Sequence, residues 1–354
     1  MSKIKIAIIG CGTIANNAHI PAYLKNKEVE IKYFCDIILS KAQKCVEKYG
    51  CGIAIEDYHE ILKDDEVVAV SVCTPNNAHR FVSIDCLNAG KHVLCEKPAA
   101  RTYKEALEMQ EAARKNNCIL NIGVVNRFNS AVQTIKRMID GGELGKIHHV
   151  HVSFRAHRSI PGIGGAFTTK EISGGGVLID WGVHYFDIVM YCCSDPKPIT
   201  VSAEEFCVLG KDIPNYVYTG MWAEDTRDVN GTYDVDDSVT GLVRTEGPVI
   251  SFIGAWAQNI GVSESYIDFM GDIGGIRLIY GEDFRLYTTK NGALLESKPF
   301  YKTKPMFEEE INSFIENVKN PSMRLPSHID TNILTSKMMQ AMYDSAKEHK
   351  EVRL

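Results

Sequence analysis

Apolar residues along this chain follow two different rhythms. Through the first 125 residues, short unbroken apolar runs alternate with amphipathic stretches. Residues 3–9 are a nearly continuous β-branched run, as expected of a strand covered on both faces in a parallel sheet. Similar runs at 30–35, 67–73, 91–95 and 119–124 are separated by segments of helical spacing at 41–49, 78–89 and 103–116, and a helix also follows the first strand. This alternation predicts an α/β domain, a doubly wound and mostly parallel sheet over residues 1–125.

The rhythm then changes. Residues 126–139 predict a helix stopped by Gly141-Gly142. Strand 146–154 alternates, with His149 and His151 on one face and Val150 and Val152 on the other. A glycine-rich stretch, 155–173, reads as an ordered loop, and 176–193 as a long apolar helix. Strands follow at 199–209, 238–245, 249–258, 265–271, 275–280 and 284–289, with Glu246-Gly247-Pro248 as a turn. Strands in succession without helices between them predict a large, mostly antiparallel open sheet, hence a second, α+β domain over 126–354. Helices at 305–319 and 328–348 close the chain. The 176–193 helix is expected to cover one face of the open sheet. The other face is a natural symmetric contact, so a homo-oligomer, dimer or tetramer, is expected.

Composition narrows the partners. The formal net charge of −6 over 354 residues argues against nucleic acid and anionic membrane surfaces. No apolar run approaches a transmembrane span, and the N-terminal run is too short for a signal peptide. Of the 11 cysteines, Cys35, Cys73 and Cys95 fall where buried strands are expected, and no CxxC repeats. They read as reduced thiols of a cytoplasmic protein.

Candidate chemistry sits at the ends of the predicted strands. Gly10-Cys11-Gly12-Thr13-Ile14-Ala15 is a GxGxxA turn between a strand and a helix. Its first glycine permits the tight turn, its second lets backbone approach a pyrophosphate, and Ala15 lets the helix pack close. Asp36, ending the second strand, is placed to accept hydrogen bonds from an adenine ribose. It would repel a 2′-phosphate, which favours NAD over NADP. Capping of the next helix is the other use for a carboxylate there. Thr74-Pro75-Asn76 and Glu96-Lys97-Pro98 end two more strands on the same sheet edge. Lys97 is then a solvated loop lysine or a cation able to stabilise a developing alkoxide, and a cis Lys97–Pro98 bond is compatible with the sequence.

In the long apolar helix, Asp180 and His184 stand four residues apart and so share a face. A carboxylate beside an imidazole suits proton transfer at a hydroxyl, although a surface carboxylate and a hydrogen-bonded core histidine would look the same in isolation. His149 and His151 have no evident carboxylate or cysteine partner nearby, so no metal site is expected.

Taken together, GxGxxA, Thr74-Pro75-Asn76 with His79, Glu96-Lys97-Pro98, Asn126-Arg127-Phe128, and Gly174-Gly175-Gly176 leading to Asp180 and His184 resemble the Gfo/Idh/MocA oxidoreductase family. Val235-Asp236-Asp237, Gly271-Asp272-Ile273-Gly274-Gly275 and the terminal run from Tyr343 fit the same pattern, which covers nearly the whole chain. The resemblance implies a Rossmann domain joined to an open-sheet domain, with the nicotinamide cofactor between them and sugars or inositols as substrates. It implies that Lys97, Asp180 and His184 surround the reacting carbinol. It also implies that Gly10, Gly12, Thr13, Ile14, Asp36, Thr74, Pro75, Asn76, His79, Glu96, Lys97 and Asn126 hold the cofactor. Whether His184 or Lys97 is the base stays open.

The arginine-containing loop and the aspartates at 234–237 look more like the pyranose and glycoside dehydrogenases of that family than the inositol ones. The expectation is therefore oxidation of a ring hydroxyl, the 3-hydroxyl of a glucoside-like sugar. Arg155, Arg158, Trp181 and Tyr185 are candidates for the sugar pocket, and the insert 216–234, with Trp222, Asp225 and Arg227, for a cover or an oligomer contact. Rival readings are an inositol dehydrogenase, a keto-sugar reductase, an NAD-dependent glycosidase using transient oxidation, and a non-catalytic sugar sensor. The presence of Lys97, Asp180 and His184 argues against the sensor.

Asp36→Ala should weaken NAD binding and narrow the preference over NADP. Titration of both cofactors measures this, and an unchanged preference would remove Asp36 from the role.

Overall fold

The computed structural model describes residues 3–221 and 226–354. They form two compact units, residues 1–128 with 304–333, and residues 129–303 with 334–354. The change of rhythm at 125 lies close to the first crossing. The return of 304–333 to the first unit has no counterpart in the apolar pattern, which had assigned everything from 126 onward to the second domain.

In the first unit, β1 (Ile4–Ile9), β2 (Val29–Cys35), β3 (Ile53–Ile55), β4 (Val67–Val72), β5 (His92–Glu96) and β6 (Leu120–Gly123) make a six-stranded sheet ordered β3-β2-β1-β4-β5-β6. Every pairing is parallel. The strands are apolar on both faces because helices lie on both: Ile6, Ile8, Ala69 and Leu94 belong to a core that includes Tyr23, Phe34, Ile311 and Phe314. Strand order reverses between β1 and β4. That reversal opens a crevice at the carboxyl ends of these strands, where ligands bind in sheets of this type.

The returning segment contributes the helix Met306–Lys319 and a stretch that closes the β6 edge. Ile122 N–H donates to Ser327 O at 2.9 Å, and Asn121 pairs with His328. The fully buried Asn317 accepts from Asn121 Nδ2 at 3.1 Å and donates to Met323 O at 2.7 Å. Arg127, also fully buried, donates to Pro326 O at 2.7 Å. An open parallel edge with unmet N–H and C=O groups is thereby satisfied from the far end of the chain.

The second unit is a nine-stranded mixed sheet. Its strands are β7 (Ile147–Arg155), β8 (Pro198–Phe206), β9 (Ser238–Thr245), β10 (Val249–Ala255), β11 (Glu264–Gly271), β12 (Gly274–Ile279), β13 (Phe284–Lys290), β14 (Ala293–Ser297) and β15 (Val352–Arg353). The order is β14-β13-β12-β11-β7-β10-β9-β8-β15, with β7 and β10 parallel and the other neighbours antiparallel. One face is covered by the helix Val183–Cys192, whose Phe186 meets Phe252 edge-on at 5.1 Å. The other face is half-exposed and mixed. It carries His149 and His151, both hydrogen-bonded to Ser251 Oγ, and the Arg277–Asp268 pair over the Tyr266 ring.

Several elements differ from expectation for local reasons. The helix expected over 126–139 is split into a 3-10 turn, Val125–Phe128, and a helix, Ser130–Asp140. Asn129 causes the break: extended in backbone, it caps the second piece by accepting from Ala131 N–H at 2.8 Å. The helix after β1 opens as a π turn, Ala15–His19, before Ile20–Lys25. The 176–193 helix is likewise a π turn, Leu178–Gly182, continued by Val183–Cys192. β14 gives no apolar alternation because all five positions are exposed, and β3 is too short to register. Among the described residues, no helix is long and apolar enough to cross a membrane.

Asn317→Ala removes a buried partner of Asn121 and two carbonyl contacts. It should destabilise the protein by about 1–3 kcal/mol, read as a lower midpoint in urea. An unchanged midpoint would mean that the returning segment does not hold the β6 edge.

Candidate active site

In the first unit, the chain leaves β1 at Gly10, whose φ of +95° and close approach to β4 require glycine: a Cβ there would lie 2.5 Å from Cys73 O. At Gly12 a Cβ would meet nothing within 4 Å, so the turn presents bare backbone to open space. Thr13 is exposed and Ile14 half-buried beside it. Asp36 holds the turn from β2: its Oδ2 accepts from Cys11 N–H and its Oδ1 from Ile38 N–H, both at 2.9 Å. The carboxylate therefore fixes the glycine turn and caps its own loop while keeping acceptor capacity. At the end of β4, Thr74, Pro75 and Asn76 start the helix Asn76–Asn88, and the buried Thr74 Oγ1 has no protein hydrogen-bond partner. A bare backbone turn, a fixed carboxylate and an unmet buried hydroxyl at one sheet edge fit a dinucleotide.

His79 lies inside rather than at the surface. Its ring nitrogens are 2.8 Å from Pro98 O and 2.9 Å from Thr74 O, and burial pushes its pKa down. It ties the Thr74 turn to the Lys97–Pro98 turn, whose peptide is cis. Glu96 is buried with Oε1 at 2.7 Å from His19 Nε2, while Oε2 accepts from Lys97 N–H at 3.1 Å. His19 Nδ1 is 3.2 Å from Ser71 Oγ, which is 2.8 Å from Tyr23 OH. Burial drives the Glu96 carboxyl up, but the His19 hydrogen bond and the nearby charges of His19 and Lys97 hold it below the usual value. The side chain of Lys97 is half-buried and Asn126 is buried. Sequence reasoning missed His19; the signal was a histidine just ahead of the apolar run 20–24, in the helix that follows the glycine turn.

In the second unit, Asp180, Trp181 and His184 are half-buried, whereas every other residue from Gly175 to Met190 is buried. The i, i+4 pair straddles the junction of the π and α turns, a feature frequent at functional sites. Tyr185 points into the core. Its ring stacks on Tyr280 at 4.5 Å and on Phe154 at 5.0 Å, and burial pushes its phenol up. Arg155 Nε donates to Glu264 Oε2 at 3.0 Å, across β7 and β11. Arg158 donates to His157 O and Gln258 O, both at 2.8 Å, and to Asn259 Oδ1. Both arginines are thus held by neighbours of their own unit.

The insert is knitted to the 155–173 loop: Asp228 N–H donates to Ile163 O at 2.9 Å, and Arg227 donates to Tyr216 O at 2.8 Å with its guanidinium over Tyr218. Trp222 and Asp225 lie outside the described residues.

Two family descriptions match this chain. Residues 4–124 match "Oxidoreductase family, NAD-binding Rossmann fold", and residues 132–277 match "GFO/IDH/MocA C-terminal domain". The chain belongs to the GFO/IDH/MocA oxidoreductase family. It is similar to the D-glucoside 3-dehydrogenase of Escherichia coli strain K12, with 31% identity over 100% of this chain and 98% of that one. It is also similar to the myo-inositol 2-dehydrogenase of Thermotoga maritima, with 24% identity over 90% and 89%. A levoglucosan dehydrogenase solved with NADH and levoglucosan shares the GFO/IDH/MocA fold, with a TM-score of 0.85, 19% identity and 99% coverage of each chain. This member of the GFO/IDH/MocA family is accordingly an NAD-binding oxidoreductase.

Asp236 and Tyr343 carried no role in the sequence reading beyond matching the family pattern. Asp236 is 3% exposed and sits beneath the three glycines before Asp180. Burial raises its pKa to about 7, against hydrogen bonds from Leu178 and Gly176 N–H that lower it, and Glu205 raises it further. Because the folded value lies above the ordinary 3.8, the folded chain binds this proton more tightly than the unfolded chain. Stability from this group is therefore greatest at low pH and falls as pH rises through about 4 to 7. Asp236→Asn abolishes the titration. Its stability relative to wild type should increase by roughly 3 kcal/mol between pH 5 and 8, measured by urea unfolding at each pH. A pH-independent difference would show that Asp236 does not titrate in this window.

Proposed function

We propose that the protein oxidises the 3-hydroxyl of a glucoside-like pyranose with NAD⁺. The observation that carries this reading is the stripe of Asp180, Trp181 and His184 on a helix otherwise buried from Gly175 to Met190. Full-length similarity to a D-glucoside 3-dehydrogenase supports the sugar and the position. Bound NAD⁺ supplies the hydride acceptor. Gly10, Gly12 and Asp36 hold its adenosine and pyrophosphate, with Thr13, Ile14, Thr74, Asn76 and His79 lining or bracing that edge. Pro75, Glu96 and Asn126 are the residues that would hold the nicotinamide end. His184 removes the hydroxyl proton as general base, Lys97 stabilises the developing alkoxide, and Asp180 holds neighbouring hydroxyls in register. Trp181, half-buried beside Asp180, offers an apolar plate for a sugar ring.

Asp36 favours NAD over NADP by repelling a 2′-phosphate. The half-exposed face of the second sheet is the contact of a homo-oligomer, and its mixture of Tyr266, Met270, Ile253 and ion pairs suits a self-complementary surface. The protein works in the cytoplasm, a reading supported by 11 cysteines of which none forms a disulfide.

The test is NADH formation at 340 nm with methyl glucosides, free hexoses, myo-inositol and levoglucosan. Methyl glucosides should turn over fastest and give the 3-keto product by NMR. Faster turnover of myo-inositol would replace the glucoside reading with that of the Thermotoga relative. His184→Ala should lower turnover about 10²–10⁴-fold; near-wild-type turnover would pass the base role to Lys97.

A further inference from the structure

The helix that carries Asp180 and His184 makes its first internal hydrogen bond from Asp180 N–H to Gly176 O, at 3.0 Å. The four N–H groups before it, at residues 176–179, have no partner within the helix. Three of the four are met by Asp236. Gly176 N–H donates to Asp236 Oδ1 at 2.7 Å and Leu178 N–H to Asp236 Oδ2 at 2.8 Å. Val177 N–H donates to Asp236 O at 3.0 Å. The Tyr343 hydroxyl donates to Asp236 Oδ1 at 3.1 Å and so braces the carboxylate from behind. The glycines make this possible. A Cβ on Gly176 would fall 1.9 Å from Asp236 O, and one on Gly175 would fall 2.1 Å from Tyr343 Oη.

We propose that Asp236, with Tyr343, is a positioning residue of the reaction: it clamps the start of the helix and so sets where Asp180 and His184 stand. A carboxylate at a helix N-terminus also complements the partial positive charge there, so one group supplies both hydrogen bonds and charge. The inference rests on the roles given above to Asp180 and His184, and its test separates the two. In Asp236→Asn the amide nitrogen faces an N–H group to which it cannot accept, so one clamp bond becomes a clash of donors.

At pH 8, hydrogen exchange of the peptide covering 174–184 should quicken tenfold or more in Asp236→Asn, with no substrate present. Turnover of methyl β-D-glucopyranoside should fall about 30-fold while the Kd for NAD⁺ stays within twofold. In the His184→Ala background the same substitution should cost less than threefold, because the group it positions is gone. Unchanged exchange would overturn the clamp, and an equal loss in both backgrounds would overturn the positioning role. If His184→Ala alone turns over normally, the base assignment fails by itself and the cycle is run against Asp180→Asn. Should Asp236→Asn not fold, Tyr343→Phe, which removes the hydrogen bond that braces the Asp236 carboxylate, decides by the same measurements with a turnover loss of about 3–10-fold.

Discussion

Backbone N–H groups of tight turns and of one helix start donate to acidic side chains at the three places that carry the candidate chemistry. Asp36 holds the glycine turn after β1 through Cys11 N–H, Glu96 holds Lys97 N–H, and Asp236 holds the N–H groups that precede Asp180. A charge-assisted hydrogen bond of this kind is stronger than a neutral one and fixes direction as well as distance. The acidic groups therefore act as anchors for main chain.

The anchors differ in electrostatics because their surroundings differ. Glu96 is buried beside His19 and Lys97, and these neighbours keep it ionised against the pull of desolvation. Asp236 is equally buried, but its partners are neutral N–H groups and a phenol, and its charged neighbour Glu205 repels it. Burial wins there, and its ionisation moves toward neutrality. A carboxyl group, similarly enclosed in both units, thus stays charged in one and titrates near neutral pH in the other.

The regular sheet elements were legible because their physics is local. β-branched runs mark strands buried on both faces, and alternation marks the open sheet; Ser238–Thr245 shows its boundaries directly in the pattern. GxGxxA, the lysine turn and the Asp180–His184 pair were visible because their residue types are chemically unusual for their positions. What could not be read depends on contacts across long sequence separations. The fit of Asn317 to Asn121, the clamp of Asp236 on Gly176, and the inward turn of Tyr185 onto Tyr280 each join segments that no window of sequence contains. Trp181 and Tyr185 look equivalent in the sequence, yet one is half-buried at the surface and the other lies in the core.

The returning segment bears on how the protein is made. Synthesis begins at the N-terminus, but the first unit includes residues 304–333, so its β6 edge stays open until almost the whole chain has left the ribosome. Residues 129–303, by contrast, emerge together and carry eight of the nine strands of the large sheet, all but β15. The nascent chain therefore holds an unfinished parallel sheet with an apolar edge while a later-made sheet assembles. The interval favours chaperone contact with the cofactor-binding half and explains why cutting the gene at the visible change of rhythm would yield a sheet lacking its closing strip.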